Sequence, residues 1–132
     1  MEAEVQAAFH PGNQKILVVD DNAANLDVML QLLEPLGYEL AIATSGEKAL
    51  RVADHFRPDL VLLDVMMPGM DGYEVCRQLK AEPATRDIPV VFVTGHSSEA
   101  EREQGLAMGA AAYLSKPVDP AALYSTVEEL LA

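Results

Sequence analysis

Ile16-Leu17-Val18-Val19-Asp20-Asp21-Asn22 is a run of apolar residues closed by two acids and an amide. A strand with one wet face alternates apolar and polar side chains, whereas a strand covered on both faces is apolar throughout. The unbroken run therefore reads as a strand inside a parallel sheet. Working outward, the same pattern returns at Leu40-Ala41-Ile42-Ala43, Leu60-Val61-Leu62-Leu63, Val90-Val91-Phe92-Val93 and, more weakly, Ala111-Ala112-Tyr113-Leu114. Between the runs, apolar residues fall at helical spacing. Leu26, Met29, Leu30 and Leu33 make one stripe, Ala49, Val52, Ala53 and Phe56 a second, and Leu123, Val127, Leu130 and Leu131 a third.

Helix starts carry their own chemistry. Thr44 with Glu47, Asp71 with Glu74, and Ser98 with Glu101 have the spacing of a capping box, and Asp119-Pro120 reads as an N-cap followed by proline at the first helical position. Pro35 falls near the end of the first helix, and the segment from Glu99 to Gly109, with Gly105 inside it and a thin apolar stripe, predicts the least stable helix. The order is β-α five times over. Short connections between such units predict an α/β fold: a doubly wound (βα)5 three-layer sandwich, flavodoxin-like, with parallel sheet order 2-1-3-4-5. Residues 1–13 read as a tail, because His10-Pro11-Gly12-Asn13 breaks the short helical pattern of Glu2 to Phe9; residues 14–132 read as one domain.

Composition narrows the function. The chain has 132 residues, 9 Lys+Arg against 21 Asp+Glu, and a formal net charge of −12. Phosphate backbones need clustered bases, so direct nucleic-acid binding is not expected, nor is attraction to anionic membranes. No apolar run approaches the ~18 residues of a membrane span, and Met1-Glu2-Ala3-Glu4 lacks the basic start of a signal peptide, so a cytoplasmic location is expected. A single cysteine, Cys76, excludes an internal disulfide framework and reads as a packed, inert thiol.

In a doubly wound sheet, ligands sit beyond the carboxyl ends of the strands where the strand order reverses, between the first and third strands. The first strand ends in Asp20-Asp21 and the third in Asp64. Two carboxylates ~4 Å apart repel by about 4 kcal/mol at an effective dielectric of 20, so such a group takes up protons or binds a cation. Carboxylate oxygens with room for water and phosphate oxygens suit Mg²⁺. The fourth strand ends in Thr94 and the fifth leads to Lys116, adding a hydroxyl and an ammonium to the same edge.

From Lys15 to Ala132 the chain resembles the receiver domain of two-component response regulators. The matching pieces are Ile16-Leu17-Val18-Val19-Asp20-Asp21-Asn22, Asp64-Val65-Met66-Met67-Pro68-Gly69-Met70-Asp71-Gly72, Val93-Thr94-Gly95, Gly109-Ala110 and Tyr113-Leu114-Ser115-Lys116-Pro117, in that order. The resemblance implies that Asp64 is the phosphoacceptor. It implies that Asp21 and Asp64 ligate Mg²⁺ (or Mn²⁺) directly, that Asp20 acts through water, and that the backbone carbonyl of Met66 adds a ligand. Thr94 and Lys116 would meet the phosphoryl oxygens, and Tyr113 would change rotamer when Thr94 moves. A cis Lys116-Pro117 peptide is likewise implied. Gly95, where alanine is common, keeps the small side chain that admits the phosphoryl group, while Met66 and His96 hold the positions that tune dephosphorylation. An apolar Met66 is expected to hinder an attacking water and prolong the aspartyl phosphate.

The implied partners are a histidine kinase or histidine phosphotransfer protein upstream and a downstream protein or effector domain. Apart from weak self-phosphorylation and autodephosphorylation, no enzyme activity is implied. The fourth helix offers only Arg102 among Glu99, Glu101 and Glu103, and the fifth carries no Lys or Arg, which argues against the dimer mode of many DNA-binding regulators. The chain reads either as a stand-alone receiver or as a piece of a longer protein. Three other readings are weaker. A Mg²⁺-dependent phosphohydrolase wants an acid where Met66 stands, a flavin carrier would have its phosphate repelled by Asp20-Asp21, and a scaffold that is never phosphorylated has no use for the full set of acids, Thr94 and Lys116.

Overall fold

The structure, a computed structural model, describes residues 14–95 and 98–132. The tail predicted over 1–13, and His96, lie outside the described residues. The elements run β1 (Lys15–Val19), α1 (Ala23–Leu33), a 3-10 turn (Glu34–Leu36), β2 (Glu39–Ala43), α2 (Gly46–Phe56), β3 (Leu60–Leu63), α3 (Gly72–Ala81), β4 (Val90–Thr94), α4 (Glu99–Ala107), β5 (Ala112–Ser115) and α5 (Pro120–Leu131). The sheet order is β2-β1-β3-β4-β5 and every pairing is parallel. The predicted α/β doubly wound sandwich is therefore the observed fold.

Because side chains alternate along a strand, each central strand feeds two cores. Leu17, Val19, Val61, Leu63, Val90 and Phe92 pack with Ala49 and Ala53 of α2 and Val75, Cys76 and Leu79 of α3. Ile16, Val18, Leu60, Leu62, Val91 and Val93 pack on the other face with Leu26, Met29 and Leu33 of α1 and Leu123, Val127 and Leu131 of α5. The continuous apolar runs of β1, β3 and β4 thus mean burial on both faces. The same reading overstates the edge strands: Ile42 in β2 is 46% exposed, and β5 ends on an exposed Ser115. An edge strand has helix cover on part of its surface only, and a short apolar run does not reveal which strand will lie at the edge.

Helix ends follow the predicted caps with one correction. Asp71 accepts from the Glu74 N–H at 2.9 Å, Ser98 from the Glu101 N–H at 3.2 Å, and Asp119 from the Ala122 N–H at 3.1 Å. α2, however, is capped by Ser45, whose Oγ accepts from the Lys48 N–H at 3.2 Å; the Thr44 hydroxyl accepts from Lys48 Nζ instead. Adjacent hydroxyl residues offer two cap registers, and packing of Gly46 and Ala49 inward selects the later one.

Pro35 lies in the 3-10 turn, which ends at Gly37 with φ +87°, a left-handed conformation glycine adopts without strain. α4 buries Gly105 alone of its residues, in keeping with its predicted weakness. That glycine also has a packing reason: a Cβ there would stand 3.0 Å from the Phe92 ring and 3.1 Å from the Tyr113 ring.

Candidate functional site

The site is built at the carboxyl edge of the sheet. Asp20 follows β1, and its backbone N–H donates to the Ala43 carbonyl at 3.1 Å, which continues the ladder to β2. Asp64 follows β3, and its N–H donates to the Val19 carbonyl at 3.0 Å. The two residues are thereby held side by side by the ladder itself. Asp20 and Asp64 are buried, Asp21 is exposed, and one carboxylate oxygen of each lies within 4.8 Å of the others. The predicted convergence of three acids at the β1/β3 boundary is met.

Lys116 crosses from the far end of the sheet. Its own N–H donates to the Thr94 carbonyl at 2.9 Å, fastening the end of β5 to β4. Its Nζ donates to Asp20 Oδ2 at 2.7 Å and stands 3.4 Å from Asp64 Oδ1. The following Lys116-Pro117 peptide is cis. Asp20 Oδ1 accepts from the Asn22 N–H at 2.9 Å, and Asn22 in turn caps α1 by accepting from the Asn25 N–H at 3.0 Å. Asp20 is thus engaged on both oxygens by the chain, which leaves Asp21 and Asp64 the freer carboxylates.

Asp64 has a shifted acidity. Burial and then repulsion from Asp20 push its carboxyl up from 3.8 to about 6, against the opposing pull of Lys116 and of the Met66 N–H, which donates to Oδ1 at 3.4 Å. A carboxylate so placed is partly stripped of water and short of positive charge. A hard divalent cation answers both deficits, and the donor set, three carboxylates in contact range with one open to solvent, fits one.

The remaining predicted residues take these places. Thr94 ends β4, fully buried. Met66 stands at the mouth with its side chain 55% exposed. Gly95 is exposed, and a Cβ there would meet nothing within 4 Å, so alanine would fit as well. Tyr113 is buried against Phe92, ring centroids 6.0 Å apart at 62°; Tyr73 of α3 meets Phe92 at 5.2 Å and 72°. Burial and the Tyr73 hydroxyl raise the Tyr113 pKa. Cys76 is buried in the core, its thiol pushed up by burial.

Two glycines were given no role by the sequence reading, Gly72 entering it only as the end of a matching piece. A Cβ at Gly72 would lie 2.2 Å from the Asp64 carbonyl oxygen and 2.8 Å from Val65 Cα, and the Gly72 N–H donates to the Val65 carbonyl at 2.9 Å. The first residue of α3 therefore rests on the backbone of Asp64. Gly46 opens α2 against Met70, where a Cβ would meet the Met70 Cβ at 2.8 Å and its carbonyl at 2.9 Å. Their one signal was glycine inside the first helical turn, where its propensity is poor. Between them, Gly69 takes φ +76° directly after Pro68, the geometry of a turn with proline second and glycine third.

Comparison with known proteins agrees with this geometry. Residues 16–128 match the family described as response regulator receiver domain. The response regulator PleD of Caulobacter vibrioides is 47% identical over 116 residues, which are 88% of this chain and 26% of that protein. The chain thus spans about a quarter of that regulator's length. Protein PilH of Pseudomonas aeruginosa is 36% identical over 118 residues, covering 89% of this chain and 98% of PilH. Among solved structures, the chemotaxis protein CheY4 of Vibrio cholerae superposes with a TM-score of 0.83 at 31% identity, covering 89% of this chain and 98% of CheY4. The receiver domain of the sensor histidine kinase PA1611 of Pseudomonas aeruginosa, solved with a magnesium ion coordinated in its active site cleft, gives 0.82 at 33% identity, covering 89% and 97%.

Proposed function

The chain belongs to the response regulator receiver domain family of two-component signalling, and from that premise we propose that Asp64 accepts a phosphoryl group from a phosphohistidine of a histidine kinase or histidine phosphotransfer protein. The observation that carries the proposal is the meeting of Asp20, Asp21 and Asp64 with Lys116 at one strand edge.

A carboxylate oxygen of Asp64 forms the new O–P bond while the P–N bond to the donor imidazole breaks, and the imidazole leaves with that electron pair. Phosphoryl transfer of this kind asks for positioning and charge stabilisation. Asp21 and Asp64, with the Met66 carbonyl and with Asp20 through water, would hold Mg²⁺, which when bound supplies positive charge between the nucleophile and the donor. Lys116, already within reach of Asp64, follows the transferred oxygens. Thr94 donates to another, and the open space at Gly95 admits the group. The buried Tyr113 ring and the weakly packed α4 beside it form the element whose equilibrium the new charge biases, and a downstream protein or effector domain reads the change.

Beside the site, an apolar cleft of about 160 Å³ between α1 and the segment after β5 is lined by Val28, Met29, Pro117 and Val118, with Val28 53% exposed. It offers the donor a seat close to Lys116. Among the described residues no helix is long and apolar enough to cross a membrane, and the proposed setting is the cytoplasm. Turnover is limited to self-phosphorylation and autodephosphorylation of Asp64. At the mouth, Met66 sets the lifetime of the phosphoryl group, and His96 is proposed as the second tuning position.

The test is incubation with Mg²⁺ and acetyl phosphate followed by intact-protein mass. One phosphate adduct, absent from Asp64→Asn and absent when the metal is chelated, is the expected result. An adduct that persists in Asp64→Asn, or none from any phosphodonor, would overturn the assignment.

A further inference from the structure

The sheet has an open edge at β2. Glu39 donates its N–H to the Gln14 carbonyl and Ala43 accepts from the Asp20 N–H, both toward β1. Backbone groups of alternate residues point to opposite sides of a strand, so those of Leu40 and Ile42 point outward, away from the sheet. Ile42 also leaves its side chain 46% exposed on one face of that edge. On the other face, β2 and α2 enclose a cleft of about 540 Å³ lined by Ala41, Val52 and Phe56 with Arg51 and His55 at its rim.

The charged side chains that line this cleft, Arg51 and His55, are basic in an acidic molecule. The chain carries −12 overall, with 9 Lys+Arg in total, yet Lys48, Arg51 and Arg57 lie on α2 or at its end, and Lys15 reaches Phe56 from β1, its Nζ 3.2 Å from the Phe56 carbonyl. Lys48 and His55 stand seven residues apart along one flank of α2. Arg51 stands between that pair and the acids of α2, Glu47 four residues before it and Asp54 three after; neither acid lines this cleft, and Asp54 lines a separate one with Leu79 of α3. Arg51 and His55 make no hydrogen bond or ion pair with any described residue. Glu39 stands opposite Lys15 in the β1–β2 register and Asp59 accepts from the Lys15 backbone N–H, and neither acid lines the cleft.

We propose that this edge is a docking groove for an acidic, extended segment of a partner protein, which adds to β2 as a further strand. Its main chain pairs with Leu40 and Ile42, its alternate apolar side chains enter the Ala41–Val52–Phe56 cleft, and its carboxylates meet Arg51, His55 and Lys48. A second copy of this chain is the poorer occupant. Two-fold pairing of β2 with β2 sets the two α2 helices on the same face of a joined sheet and brings like-charged flanks together. The groove lies at the opposite edge of the sheet from β5, so its test is independent of Asp64.

Short random peptides displayed on phage are selected against the immobilised chain, and the recovered binders are synthesised and measured by fluorescence anisotropy at low and high salt. The expected binders alternate Asp or Glu with Val or Ile and weaken with salt. They lose about tenfold or more in affinity on Arg51→Glu, a charge reversal on an exposed flank that spares the core. Methylating the alternate backbone N–H groups of the peptide that face β2 abolishes binding, whereas methylating the other set does not. Selection that yields no binder, binders without an excess of acids, or affinities within twofold on Arg51→Glu and after either methylation would overturn the proposal. So would Arg51-dependent retention of single-stranded DNA in place of peptides.

Discussion

Replacing the proposed nucleophile should make the protein more stable, and only above a defined pH. Asp64 titrates at about 6 in the fold against 3.8 unperturbed, because burial and Asp20 disfavour its charge more than Lys116 and the Met66 N–H favour it. For an acid held above its unfolded value, the native state binds the extra proton between the two pKa values. Native stability therefore falls as pH rises from about 4 to about 6 and is flat above. At about 1.4 kcal/mol per pH unit the cost is at most about 3 kcal/mol, and screening through the mouth beside exposed Asp21 reduces it to about 1–2 kcal/mol.

Asp64→Asn keeps an oxygen for the Met66 N–H and removes the charge. In urea unfolding with chelator present, it should exceed the natural chain by about 1–2 kcal/mol above pH 7 and match it near pH 4. Mg²⁺ should narrow the gap, since a cation that binds only the native acids stabilises the natural chain. A variant no more stable at neutral pH, or one with the same gap at both pH values, would refute the reasoning, because either result means that Asp64 carries no electrostatic cost in the fold.

Other outcomes follow from the same geometry. Gly72→Ala must push the Asp64 backbone aside, and should cost about 2 kcal/mol or more in urea unfolding while slowing acetyl-phosphate labelling of Asp64. Lys116→Met leaves buried Asp20 with one fewer partner and Asp64 without its neighbouring cation; a stability loss of about 1–3 kcal/mol at neutral pH, together with a labelling rate well below that of the natural chain, is expected. Met66→Asn places an amide at the exposed mouth, where it can orient water. The half-life of the phosphoryl group, followed by mass, should shorten about tenfold, corresponding to about 1.4 kcal/mol of barrier, and an unchanged half-life would discard the role given to Met66.

By itself the amino-acid order determined what local chemistry can express. Ile16 to Val19, Leu60 to Leu63 and Val90 to Val93 are apolar without interruption because both faces of a central strand are covered, and that property is written residue by residue. Asp71, Ser98 and Asp119 cap helices through contacts three residues long, so they too were legible. The strand-end positions of Asp20, Asp21, Asp64, Thr94 and Lys116 came from combining those runs with the rule for doubly wound sheets.

Tertiary structure alone decided the rest, because it depends on groups far apart in the chain. The Lys116–Asp20 pair joins residues 96 positions apart, and it leaves Asp20 engaged while Asp21 stays open. The raised pKa of Asp64 is a balance of burial, one like charge and one opposite charge, none of which its neighbours in sequence encode. Gly72 and Gly105 read locally as poor helix formers; each is required by a surface brought against it, the Asp64 carbonyl in one case and two aromatic rings in the other. Leu40 to Ala43 looks like its fellows as a string, yet its place at the sheet edge leaves Ile42 in solvent, since edge position belongs to the order of strands and not to any one of them.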